Sequence, residues 1–579
     1  MLDIAKLWLK KMKKKLPQAT YTTEDCFEDS VLTRDGMRLK ASIICPDRQQ
    51  KWPVILIRNP YLSGDELLPD VTMKLFSSCG YAAVYVRVRG TLGSQGEWLP
   101  FKHEREDGRD VIDWIAKQSW CDGNIGTYGQ SYLGHTQWSI ADYDHPMLKT
   151  MFISVYGTNP YETFYRRGMF RQEVWTEWAA QMLPCNKDLQ LPTKEGIALR
   201  KKAFAAYPQN QLGEVFGDAH CKWYEEWLTS QKETDPCWGE GFWKEFRHIA
   251  PKVKVPVYLH GGWFDIFLRS QICAWRELPE ETRKKSRFII GPWHHAGLPG
   301  GDLKYPGEKK AGFMGFIVAI PWFEHYLKQK EYSEGTGVIE SYEIGTNQWK
   351  LYEDDLPSNE ELHLYFCAES ASKKKYIQHD MLAEKGTEEG MISFVYNPEH
   401  PVDSCGGTLI ANHHKDIGWP ECSCYQPKAQ SREDVISFYS DTMKEDTIIN
   451  GSIRADLFVS SDAEATAFTV KIIEEFSNGE AVNIRDDISD IRWRNEEEYK
   501  DYTPGECVEL KMKMLDINWK IKKGSRIRVD VSSSNYPAYH VHPNTPEPWY
   551  ELHENRIATQ TVYCGGEHAS RIIIPIKKQ

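Results

Sequence analysis

The sequence of 579 residues contains no run of about 20 apolar residues, the length that a membrane-spanning helix needs. No membrane span is therefore predicted. A positive charge balance is missing too: 71 basic against 83 acidic side chains leave a formal charge of −12, so we expect no nucleic-acid partner. Disorder is not expected, because 41% apolar and 27% charged residues are ordinary usage for a folded protein.

A secretory signal peptide and a disulfide framework are also missing. The short apolar stretch at residues 4–9 precedes the lysine run at residues 10–15, and no small-residue cleavage site follows. We interpret this segment as an amphipathic helix docked on its own domain, with an interfacial membrane helix as the alternative. The 14 cysteines show no framework spacing, so we expect reduced thiols in a cytoplasmic protein.

Metal-ligand spacing is nearly absent. The nearest approach is His413-His414 followed by Cys422 and Cys424 in a polar segment. A zinc site usually combines C-x₂₋₄-C with two separated histidines, a pattern that this segment does not have. We therefore expect no metal and no organic cofactor.

Short apolar strands and helices alternate through the first part of the chain. Apolar strands at residues 53–58, 80–86 and 125–128 are separated by helical segments, and the pattern resumes at residues 255–260 and 287–291. This alternation predicts a parallel sheet that is covered by helices on both faces. The chain is also longer than one hydrophobic core of about 250–300 residues allows, so two or three domains are expected.

Two other regions have different patterns. The segment at residues 159–250 lacks short apolar strands, and its pairs Trp175/Trp178 and Trp223/Trp227 have helical spacing. Past about residue 340, polar and apolar residues alternate in segments such as 452–459 and 526–531, which predicts an antiparallel β-sandwich or jelly roll. The predicted domains are residues 1–158 and 251–338 for the two parts of the α/β core, 159–250 for a helical insertion and 339–579 for the sandwich.

One serine lies in a glycine-rich turn between a predicted strand and a predicted helix. In the segment Gly129-Gln130-Ser131-Tyr132, this context is typical of a nucleophile elbow. The backbone N–H of Tyr132 would then face a developing oxyanion at the positive end of the helix. The usual pattern is G-x-S-x-G, whereas Leu133 holds the second small position here and a glycine follows it. An ordinary strand-to-helix turn is therefore the alternative.

Candidate partners for this serine follow the resumed strands. Serine is a poor nucleophile alone and needs a base and an orienting carboxylate, which in such sheets come later in the order Ser, Asp, His. Asp265 follows one resumed strand, and His294 and His295 follow the next. Active sites of open α/β sheets lie at the carboxyl ends of the strands. A single residue of this kind is usually structural, but three in this order favour a catalytic set with Ser131.

Six ordered motifs carry a resemblance to a known family. They are Asn59-Pro60-Tyr61, Arg89-Gly90-Thr91, Trp120-Cys121-Asp122-Gly123, Gly129-Gln130-Ser131-Tyr132, Gly261-Gly262-Trp263-Phe264-Asp265 and Gly291-Pro292-Trp293-His294-His295. With Val459-Ser460-Ser461-Asp462 and Val531-Ser532-Ser533-Ser534, they resemble the cocaine esterase / X-Pro dipeptidyl-peptidase (CocE/NonD) family from about Asp25 onward. The resemblance implies an α/β-hydrolase core with a helical cap insertion and a C-terminal jelly-roll β-sandwich domain.

The resemblance also implies roles for individual residues. Ser131 would be the nucleophile, Asp265 the orienting carboxylate and His295 the general base, with His294 as a packing neighbour. Tyr61 would join the Tyr132 N–H in the oxyanion hole, and a buried loop tyrosine is its alternative. Arg87 stands where relatives commonly carry Asp, which we expect to alter a structural ion pair.

These roles predict a serine hydrolase that cleaves an ester or amide acyl bond through an acyl-enzyme. We favour an esterase or acylase acting on a small-molecule ester, amide or short peptide. The Trp-rich helices would either supply a pocket for the acyl group or only pack against one another. An X-Pro dipeptidyl-peptidase is the alternative, and it would need an acidic group such as Glu162, Glu173 or Glu177, which solvated helix faces explain equally well. A catalytically silent module that binds carbohydrate or protein is the alternative from another class. An edge strand or sandwich face could support a homo-oligomer.

Overall fold

The architecture follows from a computed structural model that describes most of the chain. The described residues are 14, 16–61, 67–182, 194–205, 208–215, 222–308, 310–311, 315–357, 360–368, 382–383, 389–410, 420–429, 431–551 and 554–577. The N-terminal segment 1–13 and the His413-His414 pair therefore lie outside the described residues. None of the described helices has both the length and the hydropathy to cross a bilayer.

The first part of the chain builds one half of a large sheet. Its elements are β1 (Phe27–Leu32), β2 (Arg38–Ile44), β3 (Trp52–Asn59), α1 (Leu67–Ser78), β4 (Ala82–Arg87), α2 (Glu104–Ile115), β5 (Cys121–Gln130), α3 (Tyr132–Trp138) and β6 (Leu148–Ser154). Strand β4 is buried along its whole length, as continuous apolar strands in a covered parallel sheet are. The turn between β1 and β2 uses Gly36 at a φ of 87°, a conformation that glycine adopts without steric cost.

The inserted segment is mainly helical. It contains α4 (Tyr161–Phe164), β7 (Tyr165–Arg166), β8 (Met169–Phe170), α5 (Gln172–Met182), α6 (Lys194–Ala205), α7 (Leu212–Val215), α8 (Lys222–Thr229), α9 (Pro236–Gly239) and α10 (Gly241–Arg247). The segment predicted as a helical insertion also contains the β7–β8 hairpin, which turns at Arg167 and Gly168 with φ values of 43° and 81°. Two-residue strands are too short to produce a period in the sequence.

The chain then returns to the sheet. It forms β9 (Val257–Phe264), α11 (Leu268–Glu277), α12 (Glu280–Arg283), β10 (Arg287–His294), α13 (Phe316–Lys328), β11 (Val338–Glu343) and β12 (Gln348–Glu353). The strand order is β1-β2-β4-β3-β5-β6-β9-β10-β11-β12. In this spatial order, the seven strands β4, β3, β5, β6, β9, β10 and β11 run parallel. The sheet thus continues past residue 338, where the α/β core was predicted to end; the domain boundaries stay a prediction.

The remaining strands form a sandwich of two antiparallel sheets. They are β13 (Glu360–Phe366), β14 (Leu382–Ala383), β15 (Gly390–Tyr396), β16 (Ile436–Tyr439), β17 (Thr447–Ser461), β18 (Ala467–Glu475), β19 (Ala481–Asp490), β20 (Val508–Ile521), β21 (Arg526–Ser532), β22 (Ala558–Cys564) and β23 (Arg571–Ile576). One sheet has the order β14-β13-β23-β17-β22-β15 with β20 on β17, and the other has the order β16-β21-β18-β19. Their apolar core is continuous with that of the helical insertion and with one face of the α/β sheet.

Candidate active site

Ser131 lies on a strained turn between β5 and α3. Its φ is 55° and its ψ is −125°, a conformation that non-glycine residues rarely adopt and that is typical of functional sites. Gly129 makes the turn possible, because a Cβ at this position would lie 2.3 Å from the Cβ of Leu133. The unusual Leu133 is thus accommodated by the glycine four residues earlier. This geometry is that of a nucleophile elbow rather than of an ordinary turn.

The structure brings the serine, histidine and aspartate together in one chain of hydrogen bonds. His295 Nε2 lies 2.8 Å from Ser131 Oγ, and His295 Nδ1 lies 2.7 Å from Asp265 Oδ1. Asp265 is fully buried in the loop that follows β9, and His295 directly follows β10. The neighbouring His294 is the last residue of β10, and its Nδ1 accepts the N–H of Ala296. The residues predicted as nucleophile, base and orienting carboxylate are therefore joined through His295.

Tyr61 and the Tyr132 N–H converge beside the serine hydroxyl. The Tyr61 hydroxyl lies 3.5 Å from Ser131 Oγ and within hydrogen-bonding reach of the Tyr132 N–H and the Trp178 side chain. Burial raises the pKa of Tyr61, outweighing the hydrogen bonds that lower it, so the phenol keeps its proton as a donor. Two donors beside a nucleophile are what an oxyanion hole requires.

A buried polar trio that the sequence analysis missed positions Tyr132. The Tyr132 hydroxyl accepts the N–H of Phe101 at 2.7 Å and donates to Glu104 Oε1 at 2.9 Å. The other carboxylate oxygen of Glu104 pairs with Arg58 at 2.6 Å, and both side chains are buried. Burial raises the pKa of Glu104 despite the charge of Arg58. The signal in the sequence was a charged residue inside an apolar strand, Arg58 in β3.

Aromatic rings surround the site on the cap side. Phe267 lies with its ring centroid 5.4 Å from that of His295, and Tyr156 lies 4.6 Å from Phe267. Trp178 stacks on Tyr132 at 6.3 Å and contacts Trp175 at 6.0 Å. The predicted Trp-rich helices therefore both pack together and reach the residues beside the serine.

The three glutamates considered for binding an amino terminus have different surroundings. Glu162 lines a charged cavity of about 290 Å³ that also contains Arg166 and Arg247. Glu173 is buried on α5, and its Oε2 accepts the N–H of Ile410. Glu177 accepts a hydrogen bond from the side chain of Gln181, one turn along α5. The contacts of Glu173 and Glu177 are those of helix and loop packing, whereas Glu162 faces the cavity.

Arg87, the last residue of β4, makes a structural contact. Its Nη1 donates to Ser42 Oγ at 2.7 Å and lies 3.6 Å from Glu28 Oε2. Arg87 thus pairs with residues of neighbouring strands and lies outside the chain of hydrogen bonds at Ser131. This contact agrees with the expectation of an altered ion pair.

Comparison with known protein families agrees with this geometry. Residues 35–297 match the family model of the X-Pro dipeptidyl-peptidase (S15 family), and residues 338–573 match that of the X-Pro dipeptidyl-peptidase C-terminal non-catalytic domain. Together the two matches cover most of the chain, which belongs to the cocaine esterase / X-Pro dipeptidyl-peptidase family of serine hydrolases. The predicted family and enzyme class of the hydrolase are thereby confirmed.

Individual relatives cover the hydrolase almost completely. A cocaine esterase of Rhodococcus sp. (strain MB1 Bresler) is 26% identical over 588 residues, with 94% of this chain and 97% of the relative covered. An aminopeptidase from a marine sediment archaeon (Thaumarchaeota archaeon) has a TM-score of 0.77 at 22% identity over 97% of both chains. An α-amino acid ester hydrolase has a TM-score of 0.74 at 20% identity, again over 97% of both. These likenesses confirm the predicted fold class.

Proposed function

We propose that the hydrolase is an esterase or acylase that forms an acyl-enzyme on Ser131. The observation that carries the proposal is the unbroken pair of short contacts from Asp265 through His295 to Ser131, at 2.7 and 2.8 Å. His295 Nε2 takes the Ser131 proton as Oγ attacks the acyl carbonyl, while Asp265 holds the Nδ1–H and stabilises the imidazolium.

The negative charge that develops on the carbonyl oxygen needs donors that are already in place. The Tyr61 hydroxyl and the Tyr132 N–H fill this role, since both lie beside Ser131 Oγ. The imidazolium of His295 then gives its proton to the leaving alcohol or amine. Water attacks the acyl-enzyme with His295 again as base, and Ser131 regains its proton as the acid departs.

The surroundings of the serine support a bulky apolar acyl group. The rings of Phe267 and Trp178 lie next to the proposed base and the proposed oxyanion donors. Apolar pockets of this kind favour aromatic or branched acyl groups through burial of surface. The substrate is therefore a small ester or amide with an apolar acyl part. An X-Pro dipeptidyl-peptidase is the second candidate, supported by the family model that matches residues 35–297.

Covalent labelling tests the nucleophile. A fluorophosphonate probe should modify Ser131, and peptide mapping should find the adduct at this residue and lose it in Ser131→Ala. Absence of labelling in a folded protein would favour the catalytically silent binding module instead.

A substrate panel tests the reaction class. Nitrophenyl esters with aromatic acyl groups should show a higher kcat/KM than acetyl esters, and both should exceed Xaa-Pro anilides. A preference for Xaa-Pro anilides would contradict the esterase proposal and support the peptidase. Labelling of Ser131 would remain in either case, so the two tests are independent.

Location and assembly are part of the proposal. The cysteines among the described residues are free thiols, which supports a cytoplasmic protein. Strand β15 lies at the edge of its sheet and exposes Met391 and Val395, which supports a homo-oligomer formed through this edge. Sedimentation velocity over a range of protein concentrations tests the assembly, and a monomer throughout would contradict it.

A further inference from the structure

Five buried polar side chains lie where the α/β sheet packs against the sandwich; we call them the seam cluster. They are Ser341 and Glu343 on β11, Tyr352 on β12, Asn450 on β17 and Asn518 on β20. The β11 and β12 residues share one face of the sheet, since Tyr352 pairs with residue 339 and side chains alternate along a strand. Asn450 and Asn518 are direct partners across β17 and β20.

Backbone contacts hold the two sides of the seam cluster together. The N–H of Ile344 donates to the Asn518 carbonyl at 3.0 Å, and the N–H of Lys520 donates to the Ile344 carbonyl at 2.7 Å. The residue directly before Ile344 is Glu343. The Glu343 charge also adds to the rise in the pKa of Tyr352, for which burial is the larger cause. The Glu343 carboxylate therefore lies within electrostatic range of the Tyr352 phenol.

Four oxygens of the seam cluster, two from Glu343 and one from each asparagine amide, are buried and lack donors. Glu343 is 1% exposed, and Asn450 and Asn518 are fully buried. Among the described residues, neither carboxylate oxygen of Glu343 and neither amide Oδ1 has a hydrogen-bond partner. The Asn518 amide is oriented by its Nδ2, which donates to Tyr352 Oη at 3.0 Å and to Ser341 Oγ at 3.2 Å. Its Oδ1 must therefore point away from these two hydroxyls.

Among the described residues, no basic group forms an ion pair with the Glu343 carboxylate. Lys350 donates to Gln348 Oε1 at 2.9 Å, and Lys577 lies above the Tyr352 ring, 5.5 Å from its centroid. A buried carboxylate without a countercharge is among the least favourable groups in a folded protein. Water can donate hydrogen bonds to these oxygens, but it cannot neutralise the charge of Glu343.

We propose that the seam cluster binds a hard cation through the Glu343 carboxylate and the amide oxygens of Asn450 and Asn518. Carboxylate and amide oxygens are the ligands of Na⁺, K⁺ and Ca²⁺, and the cluster has no sulfur or imidazole for a softer metal. The cation would join β11 of the α/β sheet to β17 and β20 of the sandwich. Its role is structural, and the reaction at Ser131 does not use it.

The experiment compares the wild-type enzyme, Glu343→Gln and the control Glu353→Gln, which removes an exposed carboxylate from the neighbouring strand. Each is melted in N-methylglucamine chloride and then in sodium, potassium or calcium chloride at matched ionic strength. The Tm of the wild type and of the control should rise with one of these cations, because a ligand of the folded state stabilises it by mass action. The Tm of Glu343→Gln should not respond. In N-methylglucamine this variant should equal or exceed the wild type, since its buried charge is gone.

Metal analysis of the desalted protein supplies a second readout. The wild type should retain a stoichiometric amount of the cation that raises its Tm, and Glu343→Gln should not. If Glu343→Gln fails to fold, Asn450→Asp takes its place, and its added charge should lower the half-saturating cation concentration and favour Ca²⁺. A wild-type Tm that is equal in all four salts, with no retained metal, would overturn the proposal and leave water as the occupant.

Discussion

The catalytic edge of the α/β sheet and the junction between the cap and the sandwich are both buried and both join distant parts of the chain. At the edge, Ser131, Asp265 and His295 each follow a parallel strand, and the order β5-β6-β9-β10 puts the ends of their strands side by side. At the junction, Arg166 on β7 pairs with Asp487 on β19 at 2.9 Å, across 321 residues. The first arrangement is a consequence of sheet topology, and the second depends on two surfaces fitting together.

The two regions also differ in charge. Near the catalytic edge, His135 and His260 are buried, and burial lowers the pKa of each to about 3, so both are neutral. The junction concentrates formal charges, with Arg167 pairing with Asp487 at 2.6 Å and with Glu496 at 2.8 Å. Changes at the edge should therefore alter the reaction, whereas changes at the junction should alter stability.

The largest expected effect is at the edge. Ser131→Ala should lower kcat for a nitrophenyl ester by roughly 10⁶-fold, because the nucleophile and its proton are both lost. The Tm should stay at the wild-type value, since removing one hydroxyl at a strained position costs little packing. A variant that kept a tenth of the activity would place the nucleophile elsewhere.

The next effect is at the junction. Arg166→Met should destabilise the fold by about 3–5 kcal/mol in urea, because Asp487 is left buried with fewer partners. Arg276→Met is the matched control, since its pair with Asp355 is 2.7 Å long but about two-fifths exposed. The control should cost about 0–1 kcal/mol. Equal losses of unfolding free energy in the two variants would mean that the buried ion pair contributes no more to stability than the exposed one.

A smaller effect returns to the edge. Tyr61→Phe should lower kcat by about 10²–10³-fold with little change in KM, because the lost donor acts on the transition state. Stability should change much less than in Arg166→Met. Wild-type kcat in this variant would remove Tyr61 from the oxyanion hole and leave it as a packing residue.

A further comparison is the pH dependence of stability, where the two regions should act in different pH ranges. Burial opposes ionisation of Glu496, but the charges of Arg166, Arg167 and Arg269 outweigh it and lower its pKa to about 2 from 4.5. A carboxyl with a lowered pKa stabilises the fold above its unfolded pKa, and this stability is lost as the pH falls from about 4.5 to 2.

The buried histidines act at higher pH. The unfolded chain binds protons at His135 and His260 below about pH 6.5, whereas the folded chain does not until about pH 3. The free energy of unfolding therefore decreases as the pH drops from about 6.5 to 3. Urea midpoints measured against pH should show both losses of stability. Glu496→Gln should reduce only the loss of stability below pH 4.5. This reduction should be modest, because the Glu496 side chain is partly exposed to solvent. A uniform change at all pH values would contradict the separation of the two regions.

Much of the α/β half could be predicted from the sequence. The apolar strands, the glycine-rich turn at Ser131 and the residues that follow β9 and β10 were recognisable because each is a local pattern. The hairpin β7–β8 was missed because two residues make no period. The trio of Arg58, Glu104 and Tyr132 was missed because its members meet only across packed elements.

The sequence by itself determined most of the strands and helices of the α/β half and the candidates for nucleophile, base and carboxylate, since these depend on neighbours along the chain. Only the tertiary structure decided that β11 and β12 extend the α/β sheet, that Arg166 pairs with Asp487, and that Glu343 is buried at the boundary with the sandwich. Such contacts join surfaces that are separate along the chain. Their energies come from burial and charge pairing, which no local pattern records.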